Sequence, residues 1–567
     1  MKKLLSVIIA CLCGRGVVIA APAVKDASLQ VTRVVSGLSA PTTMAFIGPG
    51  DMLVLQKNDG KVRRVTGGML QNNPVLDVNV DNLSERGLLG IALHPNFPTS
   101  PFVYLYLTES NNSGADTAGS AVANRVYRYT WNGSALTSPS LVLDLPVTPG
   151  PNHDGGIITF GRDNKLYVVI GDLSRNGQLQ NDSAGAAPDD TSVVLRINAD
   201  GSTPSDNPFF AQGGNVARYY AYGIRNSFGM AFDPVTDKLW MTENGPNDFD
   251  EINLVEPGFN SGWNQITGPA SNTNNLFVLS GSHYSDPKFS WLNTVAPTGI
   301  VFLNSAQLGG QYQLDAFVGD INNGNLYRFK PNVARNGFVF AGSGLADLVA
   351  DNSSELDEVI FGTGFNGITD IKVGPDGLLY VVSFGDGAIY AIEPVTPLSI
   401  QVAALPGGEA GVAYNADLGV TGGTPPYTGE IISGPLPSGL ALVAEAITGV
   451  PTSARNSRIT LRITDHAGAT ITKRFAISIS KAVSISTGAL SVGTAGKKYS
   501  AGLKASGGKK PYTWSLAGGA LPSGLVFDPA NSRVTGVPLA AGSSDLTFQV
   551  SDPLGGTAQK ILKLTVR

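Results

Sequence analysis

Ile368–Ser383 (ITDIKVGPDGLLYVVS) is the stretch on which the reading of the fold turns. Two β-prone runs, Ile368–Val373 and Leu378–Ser383, flank Gly374-Pro375-Asp376-Gly377. Proline presets one turn dihedral, glycine supplies positive φ, and aspartate bonds its own backbone, so the four residues predict a reversal between two antiparallel strands. A third run, Gly387-Ala388-Ile389-Tyr390, follows at once. Working outward, the same unit recurs. Copies begin at Thr43–Phe46, Gly87–Leu93, Ile157–Phe160, Gly229–Phe232 and Gly299–Phe302, each followed by further strands at Met52–Leu55, Val103–Leu107, Leu166–Ile170, Leu239–Thr242 and Ala316–Gly319. A three- or four-strand unit cannot bury both faces alone, and copies tens of residues apart predict a β-propeller. Six copies between residues 24 and 394 predict six blades, with uneven spacing from insertions such as Ser174–Ser192.

The composition agrees. Of 567 residues, 69 are glycine and only 15% are charged, against roughly 25% in ordinary globular chains. Turns and strands should dominate, in more than one domain. A net charge of −5 carries no footprint for nucleic acid or an anionic membrane. Met1-Lys2-Lys3 and the apolar run Leu4–Leu12 have the form of a signal peptide, residues 1–23, ending at Ala21-Pro22-Ala23. The alternative exit is a loose lipoprotein box, Ile8–Cys11, which would make Cys11 a lipid anchor. Both cysteines lie in this segment, so the mature chain should hold no disulfide. The expectation is an exported protein (periplasmic, extracellular or at the cell surface) with no transmembrane segment.

Past Glu393–Pro397, read as a linker, the pattern changes. Tyr427 returns as Tyr512 in a Gly-Gly-x-x-Pro-Tyr-Thr run, and Leu436–Leu440 (LPSGL) as Leu521–Leu525. Thr448–Pro451 returns as Thr535–Pro538, and Asp465 as Asp552. Two tandem Ig-like β-sandwich domains are predicted, residues 398–481 and 482–567. They resemble the Ig-like repeats of bacterial surface and secreted proteins, and no motif in them points past a spacer.

Chemistry concentrates in the first 394 residues. His153, one of four histidines, stands in the polar turn Pro151–Gly156, and Asp172 ends the following strand. An imidazole titrates near neutrality and suits general-base work, with the carboxylate orienting it. On spacing alone, a turn histidine without chemistry is the commoner occurrence. Arg225 and Asn226 set a cation beside an amide, fit for an anionic or quinone-like ligand. Glu243–Glu251 (ENGPNDFDE) is rich in the oxygen donors that a hard cation such as Ca²⁺ takes.

Gly87–Pro95 (GLLGIALHP), His153–Gly156 with Gly171-Asp172, Gly223–Asn226, Glu243–Asn253, Gly262-Trp263 and Ala296–Gly299 occur in one order. In that order they resemble the soluble PQQ-dependent sugar dehydrogenases, the glucose/sorbosone dehydrogenase family. The resemblance spans all six copies. It implies a secreted quinoprotein oxidising an aldose or related polyol, with an external electron acceptor. It makes His153 the general base and Asp172 its support, and places Arg225, Asn226, Glu85 and Thr298 at the cofactor. Ca²⁺ would be held by Gly245 and Pro246, with a second, structural ion at Glu251 and Ser261. The chain also departs from the family. Glu85 stands where the family has glutamine, Asn322 where it has lysine, and Gly367 and Thr369 where it has arginines. PQQ carries three carboxylates, so fewer cations imply a weaker grip. The alternative is a non-catalytic propeller serving as a carbohydrate-binding, adhesion or scaffold module.

Overall fold

The computed structural model describes residues 21–111, 115–270, 272–466 and 468–567, so most of the signal-peptide segment, with Cys11, lies outside the described residues. The protein is nearly all-β. Among the described residues a single short α-helix, Ser353–Val359, interrupts the strands, with Asn352 capping the backbone N–H groups of Ser354 and Glu355. No helix of the described residues is long and apolar enough to cross a membrane. The chain divides into two compact units, one ending at Pro394 and the other running from Val395 to Arg567.

In the first unit six sheets follow one another along the chain, each built on antiparallel strands, with short parallel additions at the edges of the third and fourth. Their leading strands are Pro41–Gly48, Leu88–Leu93, Ile158–Phe160, Gly229–Phe232, Pro297–Phe302 and Ile368–Val373. Each leading strand neighbours the next, and Ile368–Val373 returns to Pro41–Gly48, so the six form a closed circle. Close approach at its centre leaves no room for side chains. A Cβ on Gly90 would lie 2.1 Å from the Gly156 carbonyl, and one on Gly229 would lie 2.1 Å from that of Thr298. The hairpin anticipated at Gly374–Gly377 forms, with Tyr380 donating from its hydroxyl to Asp376 at 2.7 Å. Tyr167 and Asp163 repeat the device in the third sheet at 3.0 Å.

The core is dispersed between sheets. One cluster, around Leu166, Val168 and Tyr106, joins the second and third; another, around Trp240, Trp291 and Phe329, joins the fourth and fifth. Val35, Met44, Val54 and Val382 join the sixth to the first. The circle is closed by a strand absent from the repeat pattern. Leu29–Val35 pairs antiparallel with Ala388–Pro394, as the outermost strand of the sixth sheet, in register Leu29 with Pro394 and Val31 with Ile392. This corrects the linker: Glu393 and Pro394 belong to that strand, and the Glu393 carboxylate accepts from Gln30 at 3.0 Å and Thr32 at 2.5 Å.

In the second unit each repeat builds its own core, around Ile447, Leu461 and Ile463 in one and Val534, Phe548 and Val550 in the other. The repeated residues make repeated bonds. Tyr427 donates to the Gly422 carbonyl at 2.8 Å and Tyr512 to that of Gly507 at 2.6 Å. Asp465 accepts from Thr424 N–H, as Asp552 does from Lys509 N–H. Since the strand of the first unit ends at Pro394, a chain ending at Val395 is expected to fold alone and to melt as the full chain's first transition does. Insoluble product, or a first transition lost with the tail, would contradict this.

Candidate active site

Loops at one end of the leading strands surround a cavity of about 710 Å³. It falls within the usual range for a small-molecule site. Lys57, Glu85, His153, Arg225, Asn226, Gly245, Asp250, Thr298, Asn322, Thr369 and Asp370 are on its wall. Residues predicted from four different copies thus meet in one place.

His153 sits at φ +64°, in the left-handed region, which turns its ring out of the Pro151–Gly156 loop. Its backbone N–H donates to Glu85 Oε2 at 2.6 Å. Its Nδ1 lies 2.5 Å from Asp172 Oδ1. Asp172 carries no proton to offer as a carboxylate, so Nδ1–H is the donor and Nε2 keeps its lone pair for another proton. Asp172 is itself fixed: Trp263 Nε1 donates to its Oδ2 at 2.6 Å and Ser174 N–H to its Oδ1 at 2.6 Å. The other histidines lie elsewhere. His94 packs edge-on against Phe102 and Phe160, and burial lowers its pKa.

Across the cavity, Arg225 N–H donates to Glu243 Oε1 at 2.7 Å, and its guanidinium donates to the Asn244 carbonyl at 2.8 Å. The guanidinium lies over the Trp263 ring, 5.3 Å from its centroid. Burial lowers its pKa, and no carboxylate of the described residues lies within ion-pair distance of it. Its Nε, together with Asn226 Oδ1 and Asn244 Oδ1, is buried without a hydrogen-bond partner. Buried polar atoms left unmet at a cavity wall fit a ligand that brings both acceptors and donors.

Behind Arg225 a much smaller cavity is lined by Glu243, Gly245, Glu251, Ser261 and Trp263. Ser261 Oγ donates to Glu243 Oε2 at 2.5 Å, and Asn253 Nδ2 reaches Glu243 and Glu251 at 3.3 and 2.9 Å. Burial pushes both carboxyls above the usual range, and the charge of Glu243 raises Glu251 further. Two buried carboxylates with a hydroxyl and nearby carbonyls form a hard-cation donor set. Among the described residues no cluster of three or more histidine, cysteine or acidic side chains is gathered for a metal. Pro246 is exposed at the loop tip.

Other residues expected at the site find different uses. Thr298 lines the cavity, yet its hydroxyl is engaged by the backbone carbonyls of Ile368 (2.7 Å) and Gly319 (3.1 Å), tying the fifth and sixth sheets. Gly367 has φ +84°, which disfavours any side chain there. Glu85 Oε2 also accepts from Asn226 Nδ2 at 3.0 Å, so it braces both the His153 loop and the Arg225 loop. Sequence reasoning missed Glu243, although it stands in the acidic loop motif, and missed the indole N–H of Trp263.

The Glucose / Sorbosone dehydrogenase family model matches residues 38–391, and the "Putative Ig domain" model matches residues 396–480 and 482–567. Aldose sugar dehydrogenase YliI of Escherichia coli is 27% identical over 65% of this chain and 94% of its own. Quinoprotein glucose dehydrogenase B of Acinetobacter calcoaceticus is 35% identical over 41% of this chain and 52% of its own length. The solved soluble aldose sugar dehydrogenase of Escherichia coli, in apo form, superposes with a TM-score of 0.52 at 25% identity, covering 65% of this chain and 99% of the other. With a match over more than half its length, laid on the six sheets that build the cavity, the chain belongs to the glucose/sorbosone dehydrogenase family.

Proposed function

We propose that the first unit is a six-bladed β-propeller that oxidises an aldose or related polyol as an exported quinoprotein, using PQQ and Ca²⁺. The observation that carries this reading is the His153–Asp172 pair facing Arg225 and Asn226, whose buried polar atoms lack partners, across one cavity. That arrangement fits an anionic, carbonyl-bearing planar ligand held beside a base. When bound, PQQ supplies the acceptor for the hydride leaving the sugar carbon. His153 Nε2 takes the proton from the hydroxyl oxygen borne by that carbon, so that the C–O bond becomes C=O and the product is the corresponding lactone or carbonyl compound. Asp172 holds the ring and stabilises the imidazolium that forms. Arg225 and Asn226 orient the cofactor, and Glu85 keeps the two loops in register. An external acceptor would take up the two electrons.

The neutral side chains of Asn322 and Thr369 favour the second reading, a propeller that binds carbohydrate without chemistry. A dye-linked oxidation screen of aldoses and polyols, with and without PQQ and Ca²⁺, separates the two. PQQ-dependent dye reduction is expected. No reduction with any sugar at saturating PQQ would leave the binding module.

One Ca²⁺ is assigned to Gly245 and Pro246, and a second, structural ion to Glu251 and Ser261, with Glu243 added to the second as a further oxygen donor. An ion that binds only the folded state contributes about 2.7 kcal/mol at a hundredfold excess over its Kd. Chelation is therefore expected to lower the melting temperature of the first unit by a few degrees, and Glu251→Ala to blunt the response. Melting indifferent to chelator in the parent protein would remove the ion from the reading.

A further inference from the structure

Lys57 is the cavity cation that the recognised motifs do not use. It follows the strand Asp51–Gln56 of the first sheet, and its backbone is tied on both sides: its N–H donates to the Ala40 carbonyl at 3.0 Å, and its carbonyl accepts from Leu88 N–H at 3.0 Å. Gly87 lies against it so closely that a Cβ there would be 2.7 Å from Lys57 Cγ. The start of the side chain is thereby fixed toward the cavity, which Lys57 lines. Its Nζ donates to the Asn58 amide oxygen at 3.0 Å, and no carboxylate of the described residues lies within ion-pair distance. An ammonium carries three donors, so two are left over.

The carboxylates on the same wall have other hydrogen-bond partners. Asp250 accepts from the N–H groups of Gly245, Val295 and Ala296. Asp370 accepts from the Thr43 hydroxyl and Ile371 N–H and pairs with Lys372 at 3.2 Å. Glu85 accepts from His153 N–H and Asn226. Lys57 and Arg225 are thus two cations of one cavity with no carboxylate of the described residues at ion-pair distance. Arg225 leads into the fourth sheet and Lys57 leaves the first, so in a circle of six they approach from opposite sides. The first sheet also adjoins the sixth, where Thr369 stands in place of a cation.

We propose that Lys57 binds a carboxylate of the cofactor, supplying from the first sheet a charge that Asn322, Gly367 and Thr369 do not. This rests on the quinone reading of the site. A ligand with several carboxylates has one to offer Arg225 and another to offer Lys57, both of which line the cavity. Burial lowers the pKa of Lys57 while neighbouring Glu85, Asp154 and Asp81 oppose that shift, as fits an ammonium lacking a direct anionic partner.

The test is equilibrium binding of PQQ to the full chain with Ca²⁺ present, read from quinone absorbance in dialysis and independent of turnover. Lys57→Met and Lys57→Gln are each expected to raise the Kd roughly 10- to 100-fold, the span of one lost charge-assisted hydrogen bond. Lys57→Arg should stay near the parent. The trimethyl ester of PQQ, which lacks the carboxylates, should bind parent and Lys57→Met equally. In a Glu85→Gln background the loss should persist. Its disappearance there would mean that Lys57 only offsets Glu85, and would overturn the proposal. So would unchanged PQQ affinity in both folded variants, or an equal loss for the ester. A parent protein that takes up no PQQ would overturn the quinone reading itself, and this inference with it.

Discussion

His153→Ala is expected to lower turnover of the PQQ- and Ca²⁺-loaded protein by ~10²–10⁴-fold, the usual cost of removing a general base. The expectation follows from geometry. Nδ1 is committed to Asp172 at 2.5 Å, so Nε2 is the ring position left to take a proton from a substrate in the cavity. The ring contributes little to stability, since it stands on a loop at the cavity wall, outside the apolar clusters between sheets. Alanine keeps the Cβ at φ +64°, so no new backbone strain is introduced. Melting temperature and its response to chelator should therefore persist while the rate falls. Asp172→Asn should lower the rate too, because an amide cannot both fix Nδ1–H and balance the imidazolium. A His153→Ala protein as fast as the parent would remove His153 as the base.

The second large effect is on folding. A chain beginning at residue 37 should fail to give soluble, cooperatively melting protein. It loses Leu29 and Val35, each 6% exposed, and the whole pairing of Leu29–Val35 with Ala388–Pro394. Burial of a Leu or Val side chain is worth about 1.5–3 kcal/mol. Two of them, with the ladder, approach the roughly 5–15 kcal/mol that holds a whole domain folded. The deletion also bares Ala388–Pro394 as an unpaired edge, a template for aggregation. Val35→Asp tests the same contact more mildly, by placing a charge between the sixth and first sheets. A truncated chain that melted like the parent would show that the circle holds without this strand.

Much of the first unit was legible because its information is local. Gly374–Gly377 and the runs beside it specify a hairpin within some twenty residues, and each of the six leading strands falls within one or two residues of its reading. Leu29–Val35 was not legible, since its partner lies more than 350 residues away and nothing in LQVTRVV names it. The same limit explains the linker. Glu393 and Pro394 look like punctuation in the chain, yet they are strand because Gln30 and Leu29 lie opposite. At the site, the His153–Asp172 pairing could be read from a turn and a strand end. Thr298 could be placed at the cavity, but not the engagement of its hydroxyl by Ile368, which depends on where the fifth sheet meets the sixth. Lys57 carried no motif at all, and its position by the cavity follows only from closing the circle.

Trp263 has a consequence for how this protein can be watched. One indole donates to Asp172, lies beneath the Arg225 guanidinium, and walls the small cavity with Glu243 and Glu251. The other four tryptophans sit apart: Trp131 faces Arg64, Trp240 and Trp291 are sealed in a core, and Trp514 is in the tail. Trp263 is therefore a built-in optical probe. Its emission should respond to an arriving anion, an arriving cation and the charge state of the imidazole alike, each with its own concentration and pH dependence. Replacing Trp131, Trp240, Trp291 and Trp514 by phenylalanine would leave a single emitter at the centre of the chemistry, and each binding event could be timed without a dye or a substrate.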